Sequence, residues 1–401
     1  MLSPTPPEDP ATTRAASRRL DSLTGLRWWA AFGVFLHHMT NIAPLPAHSI
    51  LALGAQGVTF FFVLSGFVLT WSSRPGVPAT TFWWRRFARI WPLHAVALAV
   101  AVPVFHSPDP DPSMTWVKPL SLGVLALSVL LLHGWSTSPG ILFSGNPAAW
   151  TLSCEAFFYA LHPALNRPLR RATSRTALLL AGAVVLGAAV FYLLRVEAPA
   201  LRLDLVPQPV LRLWEFVLGM ALGRAVLSGW RPRLRPVVAY GLLALGAAAI
   251  WWVPRFGSHL NGADRFVRLV PVLIGVLCAV VIVAAVGHEL RGRGSHLTTA
   301  PMVRLGEWSY AFYLLHATGI YLARGIMGGP AETSWTNLAW HVPFLAVSVL
   351  AAALAHHLVE KPVERRLRRA WDRRREARAA AAGELVAGAA PPRRSETRAA
   401  G

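Results

Sequence analysis

A permanent cation and an imidazole lie eleven residues apart in the first apolar stretch of the chain, DSLTGLRWWAAFGVFLHHMT, as Arg27 and His38. A helix turns about 100° per residue, so this spacing puts the two within about 20° of one face and about 16 Å apart along the axis. Ionisable groups in a bilayer are expensive, about 2.5–3.5 kcal/mol being the low figure at mid-helix. Their presence reads in two ways. Arg27 is an anchor that snorkels to the membrane surface and His38 an interhelical contact, or the two mark the ends of a site. Ala31 and Val34, between them on that face, are small enough to leave a groove. A long donor with an anionic head and a reactive tail would fit it, and a coenzyme A thioester has that form.

Three further clusters carry polar groups into apolar surroundings. TFWWRRFARIWPLH holds Arg85, Arg86, Arg89 and His94. Arg86 and Arg89 are one turn apart, and paired guanidinium forks suit phosphate oxygens; a charge cap on a helix end is the plainer reading. In AWTLSCEAFFYALHP, Glu155, Tyr159 and His162 recur at i, i+4 and i+7 on one helix face. They read as an acid/base network, a partner for Arg27, or a structural ion pair. LGEWSYAFYLLHATGIY repeats the pattern with Ser309, Tyr313 and His316, and Glu307 at the helix start; Tyr313 reads as a packing and hydrogen-bonding residue, His316 stays open. No HExxH-type spacing occurs, so no metal is expected. Cys154 and Cys278 both sit in apolar segments, which supports neither a disulfide nor a cysteine zinc site.

The elements that must position these groups are helices in lipid. Of 401 residues 54% are hydrophobic and 14% charged, and apolar runs of spanning length recur along the chain, which reads as an all-α polytopic membrane bundle. Apolar helices are expected near 26–43, 51–72, 91–106, 119–134, 150–165, 176–194, 209–228, 236–253, 266–287, 304–324 and 338–359. The net charge of +20 comes from basic clusters between these runs and near the C-terminus, a pattern of topology determinants rather than of nucleic-acid binding. All clusters share the cytoplasmic side if one helix between 119 and 165 fails to cross, and 150–165, short and polar, is the expected one. That leaves about ten spans plus one short non-crossing helix, with both termini cytoplasmic in the cell membrane. Residues 1–20 and 371–401 read as largely disordered tails around a 21–370 membrane domain. His37 and His38 inside the first apolar run argue against a cleaved signal peptide.

Seven segments, in order, resemble the membrane-bound acyltransferase-3 enzymes: LDSLTGLRWWAAFGVFLHH, GAQGVTFFFVLSGFVLT, RRFARIWP, WTLSCEAFFYALHP, RLWEFVLGMALG, LGEWSYAFYLLH and EKPVERRL. The first is similar to that family's Arg-x10-His motif, and the fourth to its Trp-Ser-Leu-Ser-x-Glu motif, with Thr151 and Cys154 as departures. The resemblance implies transfer of an acyl group, expected to be acetyl, from acyl-CoA as donor to a hydroxyl of a carbohydrate or of a glycosylated natural product such as a macrolide. By motif position it implies His38 as the catalytic histidine with Arg27 as its partner. Arg86 and Arg89, flanked by Arg85, would bind the donor's anionic end, and Glu155 would support the site. The absence of an appended hydrolase-like domain makes the chain similar to the stand-alone members. In this reading neutral His38 takes the acceptor's proton, with an acyl-imidazole intermediate as the competing route. A transporter or flippase for a sugar or lipid is the rival class, since it too buries Arg, Glu and His.

Overall fold

The structure, a computed structural model, describes residues 19–327 and 331–388. Its main helices are α1 (Asp21–Met39), α2 (Gly57–Trp71), α3 (Ala79–Phe105), α4 (Leu122–Val129), α5 (Trp150–Leu169) and α6 (Ser174–Glu197). They continue with α7 (Leu213–Leu227), α8 (Pro236–Phe256), α9 (Ala263–Leu290), α10 (Ala300–Met327), α11 (Leu338–Ala355) and α12 (Lys361–Gly388). A two-residue parallel bridge, His106–Ser107 with Lys118–Pro119, is the extended structure among the described residues. The all-α expectation therefore holds, and the chain is a helical membrane protein.

Six helical stretches among the described residues are long and apolar enough to cross a membrane: His48–Trp71, α3, α6, α8, α9 and Trp335–Ala380. That is fewer than the ten expected. α7 has only 15 residues, and α1, α5 and α10 are diluted by the polar residues that the sequence marks as candidates for chemistry. The segment expected not to cross, 150–165, is not among these six, and the short helix is a different one. Residues 150–165 belong to the 20-residue α5, whereas 119–134 contains the eight-residue α4, about 12 Å long. The chain stops α4 at Leu131, which takes a left-handed φ of 58°, and the Gly- and Pro-rich stretch that follows includes Gly145 at φ +67°. Two boundaries move as well. α3 begins at Ala79, so Arg85, Arg86 and Arg89 stand on a helix rather than ahead of one. Residues 371–388, expected as part of a tail, continue α12, while residues 1–18 and 389–401 of the two expected tails lie outside the described residues.

Two tethers aim the helices that matter for the site. The first amides of α1, Asp21 and Ser22, donate to the Glu289 carboxylate at the end of α9 (3.0 and 2.9 Å), an anion where the helix's unpaired N–H groups gather. Asn146 caps the turn ahead of α5 by accepting from Ala148 N (3.0 Å), and its amide donates to Leu314 O of α10 (2.8 Å). α10 packs along α1 and α2 along α7.

The α2–α7 contact is backbone on backbone. A Cβ on Gly66 would stand 1.9 Å from Phe216 O, and one on Gly219 would stand 1.9 Å from Val63 O. Membrane helices lacking a hydrophobic drive to associate gain from such close approach of small residues. Gly219→Ala should therefore separate the pair and destabilise the protein by about 1–3 kcal/mol, read as a lower melting temperature in detergent. An unchanged melt would mean that the two helices do not depend on this contact.

Candidate active site

α1, α2, α3, α5 and α10 enclose a cavity of about 150 Å³. Its polar lining is Arg27 of α1, Ser65 of α2, Arg86 and Arg89 of α3, Thr151, Glu155 and Tyr159 of α5, and Ser309, Tyr310 and Tyr313 of α10, so five helices each contribute to one buried polar space within an apolar bundle. Tyr159 donates to Glu155 Oε2 (2.8 Å) from one turn further along α5, and Ser65 of α2 donates to Tyr159 Oη (3.4 Å). The Glu155 carboxylate faces Arg27, Arg86 and Arg89. At the far end the Tyr313 hydroxyl donates to Ala148 O (3.2 Å) and lies 3.2 Å from Thr151 Oγ1. Of the i, i+4, i+7 set on α5, Glu155 and Tyr159 thus meet in the cavity. His162 lies outside the cavity lining, buried and stacked on Phe82 (4.8 Å between centroids).

The three arginines expected to hold phosphate are not equivalent. Arg89 is clamped by two carboxylates: it is ion-paired to Glu360 and, at 3.2 Å, to Glu364. Both acids are oriented in turn, Glu360 by His356 Nδ1 (3.1 Å) and Glu364 by Arg368 (2.5 Å). A single π-helical turn, His356–Glu360, joins α11 to α12 and carries Glu360, as such turns often do at functional positions. Arg86 makes no hydrogen bond or ion pair to a protein group among the described residues. Its Nε is buried without a partner, and its guanidinium stands 5.8 Å from the Phe82 ring centroid. Arg85 lies at the surface, 3.6 Å from Asp372. Arg27 faces Glu360 and Glu155 across the cavity without a hydrogen bond among the described residues. After Arg89 is neutralised, Glu155 is left against two guanidiniums. The cavity keeps an excess of positive charge.

His38 stands outside this lining. Its ring neighbours are His37 (5.1 Å), His316 (5.2 Å) and Tyr321 (6.3 Å), and its Nδ1 is buried with no hydrogen-bond partner. The groove expected along α1 is filled: Ala31 and Val34 are 0% and 3% exposed, packed into a core that includes Phe35 and Phe312. α10 covers that face, with Phe312 5.1 Å from Trp28 and 5.8 Å from Phe35. The open space runs beside α1 instead and ends at Tyr313, whose ring lies 6.2 Å from His316. From Arg27 to His38 the sequence of groups is therefore cavity, Tyr313, His316, His38. Glu155 sits with the arginines rather than with His38. His316 Nδ1 lies 2.9 Å from Phe312 O and its ring stacks on Phe312, which fixes its orientation.

Sequence reasoning missed Glu360 and Glu364 as partners of Arg89, although both stood in EKPVERRL at an i, i+4 spacing that shares a face. It also left RLWEFVLG without a physical role. There Arg212 donates to the fully buried Glu215 (2.8 Å), to which Thr59 of α2 donates as well (3.3 Å). This pair locks α7 to α2 and touches no cavity residue named above.

Together these features define a polytopic membrane protein built around a buried cationic cavity with an imidazole cluster behind its closed end. Residues 20–357 match the acyltransferase-3 family, an acyltransferase domain, and the chain belongs to that family. It is 33% identical to acyltransferase MdmB of Streptomyces mycarofaciens, over 88% of this chain and 93% of that protein. It is 24% identical to peptidoglycan O-acetyltransferase OatA of Listeria monocytogenes, over 88% of this chain and 57% of that longer protein. To exopolysaccharide production protein ExoZ of Rhizobium meliloti it is 27% identical, over 78% of this chain and 90% of that protein. No solved structure matches the chain. It is an acyltransferase by family.

Proposed function

We propose that the protein moves an acyl group, in the first instance acetyl, from acyl-CoA to a hydroxyl of a carbohydrate or a glycosylated natural product such as a macrolide. In this reading it sits in the cell membrane with its arginine-rich end and both termini on the cytoplasmic side. The observation that carries the proposal is the cavity's excess positive charge at one end and the His316–His38 pair behind Tyr313 at the other. A donor with phosphates at one end and a thioester at the other matches that polarity. The kinship to a peptidoglycan O-acetyltransferase supports an oxygen acceptor.

The chemistry assigns parts as follows. Arg86 and Arg27 hold the donor's anionic end, and Tyr313 swings aside as the thioester passes it. His38 accepts the proton of the acceptor hydroxyl while that oxygen attacks the thioester carbonyl. The tetrahedral intermediate collapses, the carbon–sulfur bond breaks, and the departing thiolate takes the proton back from the imidazolium. Glu155 acts on the arginines rather than on His38: it balances part of their charge while the site is empty.

The test is thiol release from acetyl-CoA by detergent-purified protein offered a pool of sugars and polyketide alcohols. Acceptor-dependent release is expected. If there is neither turnover nor saturable binding of acyl-CoA across several chain lengths, the donor assignment fails and transport of a sugar or lipid becomes the better account of the buried charges.

A further inference from the structure

Two polar surface recesses share lining residues with the inner cavity, and they differ in charge. One recess shares Arg27 and Arg89 with the cavity and is lined by both signs, Glu307 and Glu364 as well as Arg19, Lys361, Arg365 and Arg368. The other shares Arg86, has a volume of about 410 Å³, and is lined by Arg74, Arg85, Arg86, Arg167, Arg170 and Arg368 with no carboxylate in its lining. Arg85 and Arg368 have acidic partners, Asp372 and Glu364. Arg74, Arg86, Arg167 and Arg170 have none among the described residues. The floor of this second recess is built rather than incidental. Asn166 is fixed by donating to Ser73 Oγ (2.8 Å), while its Oδ1, His162 Nε2 and Arg86 Nε are buried with no partner.

Resting on the acyl-CoA reading, we infer that this recess is the seat of the donor's nucleotide end, the adenosine 3′,5′-bisphosphate portion, with Arg167 and Arg170 as phosphate-binding residues and Arg86 as the shared wall past which the pantetheine arm enters the cavity. Four unpaired guanidiniums around one opening create a field that attracts a multiply charged anion. In the mixed recess Arg19, Arg89 and Arg368 are already paired with Glu307 and Glu364, which leaves it fewer free cations for such an anion. Size agrees: the inner cavity, at about 150 Å³, is too small for a nucleotide, whereas the recess falls within the about 300–1,000 Å³ typical of small-molecule sites. Arg89 takes no direct part, because its two carboxylates already satisfy it.

The experiment measures binding of adenosine 3′,5′-bisphosphate and of coenzyme A to the full chain, by calorimetry in detergent, for wild type, R167A/R170A and a control, R233A/R235A. Arg167 and Arg170 are exposed, so the melting temperature should not change; R74A provides a second probe of the same opening. The inference expects both ligands to bind R167A/R170A at least about tenfold more weakly, more so at low salt, with a matching rise in KM for acetyl-CoA, kcat retained, and the control unchanged. If wild type and R167A/R170A bind coenzyme A equally, this seat is overturned while the acyl-CoA reading stands. If wild type binds no coenzyme A and turns over no acyl-CoA, both fall together. In nanodiscs containing phosphatidylglycerol, loss of retained anionic lipid from R167A/R170A with unchanged coenzyme A binding would identify a lipid-headgroup site and overturn the inference.

Discussion

His38→Ala is expected to lower acceptor-dependent acyl transfer by about 10²–10⁴-fold, the range over which a positioned acid–base group contributes, while leaving the melting temperature within a few degrees of wild type. The second half of that expectation follows from its contacts. His38 touches other rings but has no hydrogen-bond partner at Nδ1, so its removal orphans no buried group. His316 is different: it is 1% exposed, stacked on Phe312 and held to the Phe312 carbonyl. His316→Ala should therefore lower both activity and melting temperature, since it leaves a cavity in the core. Initial rates of thiol release alongside thermal melts separate the two. Full activity in His38→Ala would remove that imidazole from the chemistry. A loss confined to His316→Ala with no change in its melt would exchange their roles.

Arg89→Ala should act through folding, and Arg86→Ala through donor affinity. Glu360 has 1% of its side chain exposed, so deleting Arg89 leaves a buried carboxylate without its guanidinium, while Glu364 keeps Arg368. Removing one partner of a buried ion pair typically costs about 3–5 kcal/mol. The protein should melt well below wild type, and Glu360→Gln placed in the same chain should restore part of the loss, because the uncompensated charge is what destabilises. Arg86→Ala breaks no ion pair; its expected effect is a rise in KM for acetyl-CoA with the melt unchanged. Equal melts and equal KM changes in the two variants would contradict the asymmetry that the clamp imposes on two arginines one turn apart.

Helical class and the segments that matter were legible because lipid leaves few alternatives: apolar runs of spanning length, with ionisable residues at helical spacing, identify both the helices and the positions to watch. Arg27, Arg86 and Glu155 meet in one cavity as the pattern of faces suggested. The groove between Arg27 and His38 was misread because small residues on one helix leave space only if the neighbouring helix does not occupy it, and Phe312 of α10 does. The periodicity of a single helix contains no information about that partner. The partners of Arg89 were missed for a related reason, since the two acids lie 271 and 275 residues away in sequence. Local chemistry predicted which groups would be buried, but not which would find each other. The shortness of α4 was missed for a third reason: LGVLALSV is almost wholly apolar, and what ends the helix after eight residues is the left-handed turn at Leu131 beyond it.

The continuous helical run Trp335–Ala380 has a practical corollary. Its 46 residues extend about 69 Å at 1.5 Å each, more than twice the hydrocarbon thickness of about 30 Å. The emergent part is braced against α3 by Trp84 stacked on Trp371 (5.2 Å), by Trp371 donating to Thr81 (3.3 Å), and by Arg85 with Asp372. Beyond that brace α12 runs on through Gly388, about 24 Å further. A rigid domain fused in helical register there would turn with the bundle rather than about it. That would give a small protein, otherwise hidden in its detergent belt, a fiducial by which single particles could be aligned.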